Sequence, residues 1–268
     1  MARGQNVDHL FGKWRKIKKK LEGKSIFIFL DYDGTLTLIT QTPDKAILSL
    51  KVKNLIKKLI RSPRVKLAFI SGRSLADLKK KIGIEGVIYV GNHGLEIEGP
   101  KIKFGYPALP GYQSALKKIK NRLNNELSHV RGVFVEDKGL VIALHYRLAN
   151  KKQIPFVKSI FREITSTYTK NKLIKIKLGK MVFEAAPSVK WDKGKAVLWL
   201  LARGRFAAGG NRIVPVYIGD DKTDEDAFFA IKNKGLSIFV GNRDISSADY
   251  YLKNPREVAV FLGMLLED

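Results

Sequence analysis

The sequence predicts an α/β protein, built on a parallel sheet with helices on both faces and carrying a smaller inserted α/β module. Three observations predict it. Apolar runs without alternation, such as residues 26–30 and 213–218, fit strands covered on both faces. Segments of helical period lie between these runs, as in successive βαβ units. In the middle of the chain the strands come instead in pairs joined by tight turns, and the simple alternation resumes afterwards.

The elements follow in order. Leu10, Phe11, Trp14, Ile17 and Leu21 fall at three- to four-residue spacing and make one apolar stripe on a basic helix within 1–24. That helix reads as packed on the body of the protein; a membrane-surface or nucleic-acid helix is the alternative. Residues 26–30 form the first buried strand. Ile47, Leu48, Leu50, Leu55, Ile56, Leu59 and Ile60 recur at helical spacing over 44–61. A second buried strand at 67–70 precedes a helix bearing Leu75, Leu78 and Ile82, and a third strand at 87–90 precedes a hairpin over 97–102. A helix at 112–128 then leads to strands at 133–136 and 140–146, and a helix at 154–168 leads to strands at 173–176 and 181–184. Pro107, Pro110 and Gly111 mark one edge of this αββαββ module and Pro187 the other. The inserted domain is therefore expected over 109–186 and the core over 25–108 and 187–268. A helix from Lys193, a strand at 213–218, a helix at 224–232, strands at 237–240 and 249–252 and a helix at 256–266 complete the core.

Composition narrows the class. The 268 residues are 45% hydrophobic and 10% aromatic, enough for a sizeable core. There is no cysteine, which excludes a disulfide scaffold, a cysteine nucleophile and cysteine-ligated metal. No apolar run approaches the roughly 18–20 residues that span a bilayer, and no secretory signal opens the chain, so a cytoplasmic protein is expected. Fifty basic against 25 acidic residues give a net charge of +25. Such a surface suits anionic partners, phosphate esters and nucleic acid alike. The lysines are spread along helix-like stretches, more as a solvated surface than as one groove.

The chemistry collects at strand ends. Asp31 and Asp33 follow the first strand, Ser71 the second, and Asp220, Asp221 and Asp224 the strand at 213–218, while Lys193 opens a helix. Ligands in open parallel sheets bind beyond the carboxyl ends of the strands, so the fold should bring these groups together. The bland alternative is ordinary turn and helix-cap aspartates. Asp31, Asp33 and Asp220 offer hard oxygens that suit Mg²⁺, and four histidines without cysteine make a zinc site improbable. A carboxylate that attacks phosphorus splits hydrolysis into two steps, and a second carboxylate can protonate the leaving oxygen and then deprotonate water. Mg²⁺ and a lysine would offset the charge of the phosphate, Ser71 would donate to a phosphoryl oxygen, and Gly34 would let the backbone close on it.

These residues carry a resemblance. Asp31-Tyr32-Asp33-Gly34-Thr35-Leu36, Ser71-Gly72-Arg73, Lys193-Gly194 and Gly219-Asp220-Asp221 resemble the four motifs of the haloacid dehalogenase (HAD) superfamily of phosphatases. Gly91-Asn92-His93-Gly94, Glu136-Asp137-Lys138, His145-Tyr146-Arg147, Glu184-Ala185-Ala186-Pro187 and the run from Gly219 to Phe228 resemble the trehalose-6-phosphate phosphatase family within it. The likeness covers about residues 26–260. It implies a Rossmann-like HAD core with a cap domain, a Mg²⁺ cofactor and trehalose 6-phosphate as substrate. Asp31 would be the nucleophile and a metal ligand, Asp33 the general acid/base with its carbonyl on the metal, and Asp220 the third ligand. Ser71 and Lys193 would hold phosphoryl oxygens, with Asp221 and Asp224 placing Asp220 or the lysine. Glu136, Lys138 and Glu184 would reach the sugar from the cap, at strand ends, and Asn92 and His93 from the core.

Each has a plainer alternative. Glu136 and Lys138 could be a surface cross-strand pair, Glu184 a solvated strand end and His93 a loop histidine. Asp224 could also cap a helix, and Arg73 and Arg147 read best as ion-pair partners. Rival functions are hydrolysis of another sugar phosphate, of sucrose phosphate or mannosyl-phosphoglycerate type, a basic nucleic-acid-binding protein on this fold, and a non-catalytic partner of a sugar-phosphate synthase. The two intact aspartates at 31 and 33 argue for an enzyme, and association with a synthase stays open. No DNA-binding motif or basic-aromatic patch supports specific nucleic-acid recognition.

Overall fold

The computed structural model describes residues 7–107, 109–207, 213–242 and 246–266. The chain divides into two compact units, Met1–Phe104 with Trp191–Asp268, and Gly105–Lys190.

The first unit is built on a nine-stranded sheet of order β1-β13-β12-β11-β2-β3-β4-β5-β6. Its strands are β1 (Asp8–His9), β2 (Ser25–Leu30), β3 (Val65–Ile70), β4 (Ile88–Gly91), β5 (Glu96–Gly99), β6 (Ile102–Gly105), β11 (Ile213–Gly219), β12 (Leu236–Val240) and β13 (Tyr250–Leu252). From β1 to β4 every paired neighbour is parallel, and β5 turns back antiparallel on β4. Its helices are α1 (Trp14–Leu21), α2 (Leu50–Leu59), α3 (Leu75–Ile82), α6 (Lys193–Ala207), α7 (Glu225–Ile231) and α8 (Pro255–Met264). Alternate residues of one strand feed opposite cores, as the period of two requires. Ile28 and Leu30 pack with Ile56, Phe69 and Phe261 on one face. Phe27 and Phe29 pack with Val197, Leu200 and Phe228 on the other. The continuous apolar runs are thus strands buried on both sides.

Two helices differ from expectation. Of the segment 1–24, residues 1–6 lie outside the described residues and the rest is not one helix: Asp8 and His9 form β1 beside Tyr250 and Tyr251, Leu10–Lys13 make a 3-10 turn, and Trp14–Leu21 is α-helical. His9 meets Glu257 at 2.8 Å, a tertiary contact that fixes the extended start. The apolar stripe still packs inward, with Leu10, Ile17 and Leu21 buried. The helix expected over 44–61 begins only at Leu50, because Ser49 accepts the Val52 N–H at 3.3 Å and caps it, leaving Ile47 exposed in the preceding loop.

The second unit holds α4 (Tyr112–Leu127), β7 (Phe134–Asp137), β8 (Ile142–His145), α5 (Ile154–Lys170), β9 (Ile174–Gly179) and β10 (Val182–Pro187). Its four-stranded sheet has the order β7-β8-β10-β9, antiparallel throughout. It has its own core, in which Leu116, Ile119 and Leu123 of α4 and Phe161 of α5 meet Leu144 and Phe183 of the sheet. A few residues beyond each expected boundary go with this unit. Past β10, the Lys175 ammonium donates to the Val189 carbonyl at 2.6 Å and the Ser188 N–H to the Leu173 carbonyl at 3.3 Å. Among the described residues no helix is long and apolar enough to cross a membrane.

Candidate active site

The register of the sheet sets the site. β2 and β11 are central neighbours, with Leu30 opposite Ile218, so Asp31 and the Asp220-Asp221 pair leave the sheet side by side. The Asp31 N–H continues the ladder onto the Ile218 carbonyl at 2.9 Å. Lys193 is the first residue of α6, 2% exposed, and its ammonium bridges Asp31 Oδ1 at 2.8 Å and Asp224 Oδ1 at 2.7 Å. Burial pushes the Asp31 carboxyl well above the ordinary range; Lys193 opposes this, and Asp224, Asp220 and Asp221 add to it. Burial works against charge on Lys193, but Asp224 and Asp31 carry it well above its ordinary value, so it stays an ammonium. Burial also raises Asp221, yet Lys193, two bonds from Thr223 at 2.6 and 2.7 Å and the nearby His93 bring it down to about 2.

Asp31, Asp220 and Asp224 each offer an oxygen within 4.8 Å of the others. Asp224 is nevertheless committed. Its Oδ1 accepts from Lys193 and from the Tyr217 hydroxyl at 2.7 Å, and its Oδ2 from the N–H groups of Asp220 and Asp221, both at 3.0 Å. Four donors occupy the roughly four lone-pair sites of a carboxylate. Asp31 and Asp220 are then the carboxylates suited to a hard divalent cation, in a cluster where acids outnumber the one lysine. Asp224 stands at the cap position of α7 without capping it, its side chain being turned back to the strand end. Gly34 has φ +90°, and a Cβ there would overlap the Asp220 carboxylate, so only glycine lets this loop approach the acid.

Asp33 is held in an ion pair. Arg73 grips both of its oxygens at 2.7 Å, through Nε and Nη2. The same guanidinium donates to Asp77 at 2.6 Å and to the Pro43 carbonyl at 2.7 Å, which makes Arg73 the ion-pair partner its sequence position suggested. Ser71 is buried at the end of β3, its Oγ accepting the Arg73 N–H at 3.2 Å, so its own hydrogen can serve another acceptor. The Gly91–Gly94 loop lies against this turn. Asn92 and His93 have left-handed φ of 49° and 57°, and their N–H groups donate to the carbonyls of Arg73 and Ser71 at 2.7 and 3.0 Å. The Asn92 side chain is fully buried and donates to Glu96 at 2.6 Å, so it organises the loop. His93 covers Gly72, where a Cβ would come within 2.6 Å of Nε2.

In the second unit, register aligns Glu136, Ala143, Glu184 and Lys177 across one sheet face. Lys138 donates to Glu184 at 2.7 Å and lies 4.0 Å from Glu136, which meets His145 at 2.8 Å. His145 stacks on Phe134 at 4.4 Å. Glu184 is not at a strand end: it is inside β10, and the side chains of Lys138 and Glu184 are 9% and 8% exposed. Neither a solvated end nor a loose surface pair describes them.

Tyr217 and Thr35 were missed in the sequence. Thr35, fully buried, donates to Asp220 Oδ1 at 3.3 Å. The signal for Tyr217 was a lone hydroxyl in an otherwise apolar strand, which must find a partner when buried.

Comparison with known proteins gives the same direction. The family model for trehalose-phosphatase matches residues 29–256. The probable trehalose-phosphate phosphatase D of Arabidopsis thaliana is 34% identical over 266 residues, which is 95% of this chain and 70% of the plant protein. The C-terminal domain of trehalose-6-phosphate phosphatase from C. albicans superposes with a TM-score of 0.80 at 25% identity, covering 97% of this chain and 99% of that one. The Aspergillus fumigatus trehalose-6-phosphate phosphatase gives 0.66 at 27%, covering 98% and 99%. A family model that spans most of the chain, with a HAD-fold core carrying all four motifs at one end of its sheet, shows that this chain belongs to the trehalose-phosphatase family of phosphoric monoester hydrolases.

Proposed function

We propose that the protein hydrolyses trehalose 6-phosphate to trehalose and inorganic phosphate, with Asp31 as nucleophile. The observation that carries this reading is the Asp31 carboxylate at the end of a central strand, held at 2.8 Å by a buried lysine and flanked by Asp220. A carboxylate oxygen of Asp31 forms a bond to phosphorus as the bond from phosphorus to the sugar oxygen breaks, leaving an aspartyl-phosphate. Asp33 gives the departing oxygen a proton, then takes one from the water that attacks the aspartyl-phosphate and restores Asp31. For that, Asp33 must release an oxygen from Arg73 and take up a proton from water before the first step, and its side chain is 40% exposed, so the group has room to turn and meets solvent. Lys193 and Ser71 bind phosphoryl oxygens, and the lysine stays anchored by Asp224 when Asp31 loses its charge. A Mg²⁺ ion held by Asp31, Asp220 and the Asp33 carbonyl would supply positive charge against the phosphate oxygens. Glu136, Lys138 and Glu184 bind the sugar hydroxyls, a network of charged groups being suited to polar ligands.

The test is phosphate release from trehalose 6-phosphate, sucrose 6-phosphate and glucose 6-phosphate, with Mg²⁺ and with EDTA. Trehalose 6-phosphate should lead. Glu184→Ala and Lys138→Ala should each lower its kcat/KM by roughly 10- to 1,000-fold, the scale of lost charged hydrogen bonds. Hydrolysis of p-nitrophenyl phosphate, which has no sugar to bind, should scarcely change. Parallel loss on both substrates in folded variants would assign these residues to the chemistry, and equal turnover of all three sugars would remove the substrate assignment.

A further inference from the structure

β11 is buried along its whole length and carries a single hydroxyl, that of Tyr217. The ring is fixed on two sides, stacked 6.4 Å from Phe29 and edge-on to Phe228 at 5.6 Å. Its hydroxyl donates to Asp224 Oδ1 at 2.7 Å, the same oxygen that Lys193 holds at 2.7 Å. Burial and the charge of Asp224 push the phenol well above its ordinary range, so it remains a donor at working pH.

We infer that Tyr217 is a positioning residue for the reaction, acting through Asp224 to share Lys193 between Asp224 and the nucleophile. Lys193 stands between two carboxylates at 2.8 and 2.7 Å. The balance depends on how much negative charge each carboxylate presents. A phenol hydrogen bond draws charge from the very oxygen that competes with Asp31. It also orients Asp224 so that Oδ2 keeps the N–H groups of Asp220 and Asp221. Without the hydroxyl, the ammonium is the one donor left to Asp224 Oδ1, which pulls on it harder, and the lysine shifts from Asp31 and the phosphoryl group. Tyr217 touches neither substrate nor nucleophile; its effect passes through one carboxylate.

The inference rests on Asp31 being the nucleophile of the proposed reaction. Tyr217→Phe keeps the ring and its packing. It should lower kcat roughly 10- to 100-fold, the range for lost outer partners of a site, with KM within about twofold of wild type. In an Asp224→Asn background the same change should have little further effect, because the route is already cut. Wild-type kcat in Tyr217→Phe, an equal change in kcat and KM, or an additive loss in the double variant would each overturn the inference. If Asp224→Asn does not fold, the kcat-against-KM split of Tyr217→Phe decides, in protein that melts cooperatively near the wild-type temperature. If wild type ignores trehalose 6-phosphate, the substrate reading fails by itself, and the same split is read on p-nitrophenyl phosphate.

Discussion

Replacing Arg73 by lysine should separate the two halves of the proposed reaction. The guanidinium makes four hydrogen bonds, two to Asp33, one to Asp77 and one to the Pro43 carbonyl, and is 7% exposed. An ammonium keeps the charge but loses the planar fork that grips both oxygens of Asp33. Breaking a buried pair costs roughly 3–5 kcal/mol. Asp33 and Asp77 are reached by water, which discounts their share, and the retained charge discounts it again. We expect a loss of about 1.5–3 kcal/mol, or roughly 3–12 °C in melting temperature for a domain of this size. The kinetic effect falls on Asp33. p-Nitrophenolate leaves without a proton, so stopped-flow with p-nitrophenyl phosphate should still show a fast burst as Asp31 is phosphorylated. The steady rate after the burst should fall roughly 100-fold, the lower end of general-base contributions, because water is no longer activated well. Loss of the burst together with the steady rate would show that Arg73 supports the nucleophile and not the acid/base, and unchanged melting would refute the structural estimate.

Three further outcomes are expected. Lys193→Arg should not restore the kcat lost in Lys193→Ala, since a guanidinium cannot occupy a 2%-exposed space between two carboxylates; a near-normal arginine variant in a steady-state assay would place the lysine outside the chemistry. Gly34→Ala should raise the Mg²⁺ concentration needed for half-maximal activity and cut kcat by at least about tenfold, because its Cβ would displace Asp220 at a left-handed backbone position; an unaltered Mg²⁺ titration would contradict that. Asp221 has its folded pKa lowered to about 2, so its stabilisation is present above its ordinary pKa near 4 and is lost as pH falls through about 2. Asp221→Asn should therefore cost about 2 kcal/mol in denaturant unfolding at pH 7, and the gap to wild type should narrow below pH 4; a gap independent of pH would exclude the ionised carboxylate as its source.

What the sequence made legible was governed by burial along single elements. Strands β2, β3 and β11 show as continuous apolar runs because the sheet covers them twice, and the acids that follow show because polar groups end those runs abruptly. The hairpins of the second unit show because their turns are short. Contacts between distant segments were not legible. Nothing local to residues 8–13 says that Tyr250 and Glu257 will hold them out of helix. Asp33 and Arg73 are 40 residues apart, so the clamp on the expected acid could not be read from either motif alone. That Glu184 pairs with Lys138 inside the sheet could not be read locally, because the two lie 46 residues apart. Tyr217 looked like core because a tyrosine in an apolar strand has the composition of core until its hydroxyl finds Asp224.

The first unit is made of two stretches of chain, and Asp31 and Lys193 meet at 2.8 Å across 162 residues of sequence. The entropy of closing such a loop grows only with the logarithm of its length, about 0.6 kcal/mol for each doubling. Residues 105–190 therefore weigh little on whether the aspartates and the lysine come together. Since that segment has a hydrophobic core of its own, it can be lengthened, shortened or exchanged while the larger burial terms of the first unit's core stay as they are. Two separate cores on one chain mean that the part proposed to recognise the sugar can drift in evolution without dismantling the core of the part proposed to cleave the phosphate.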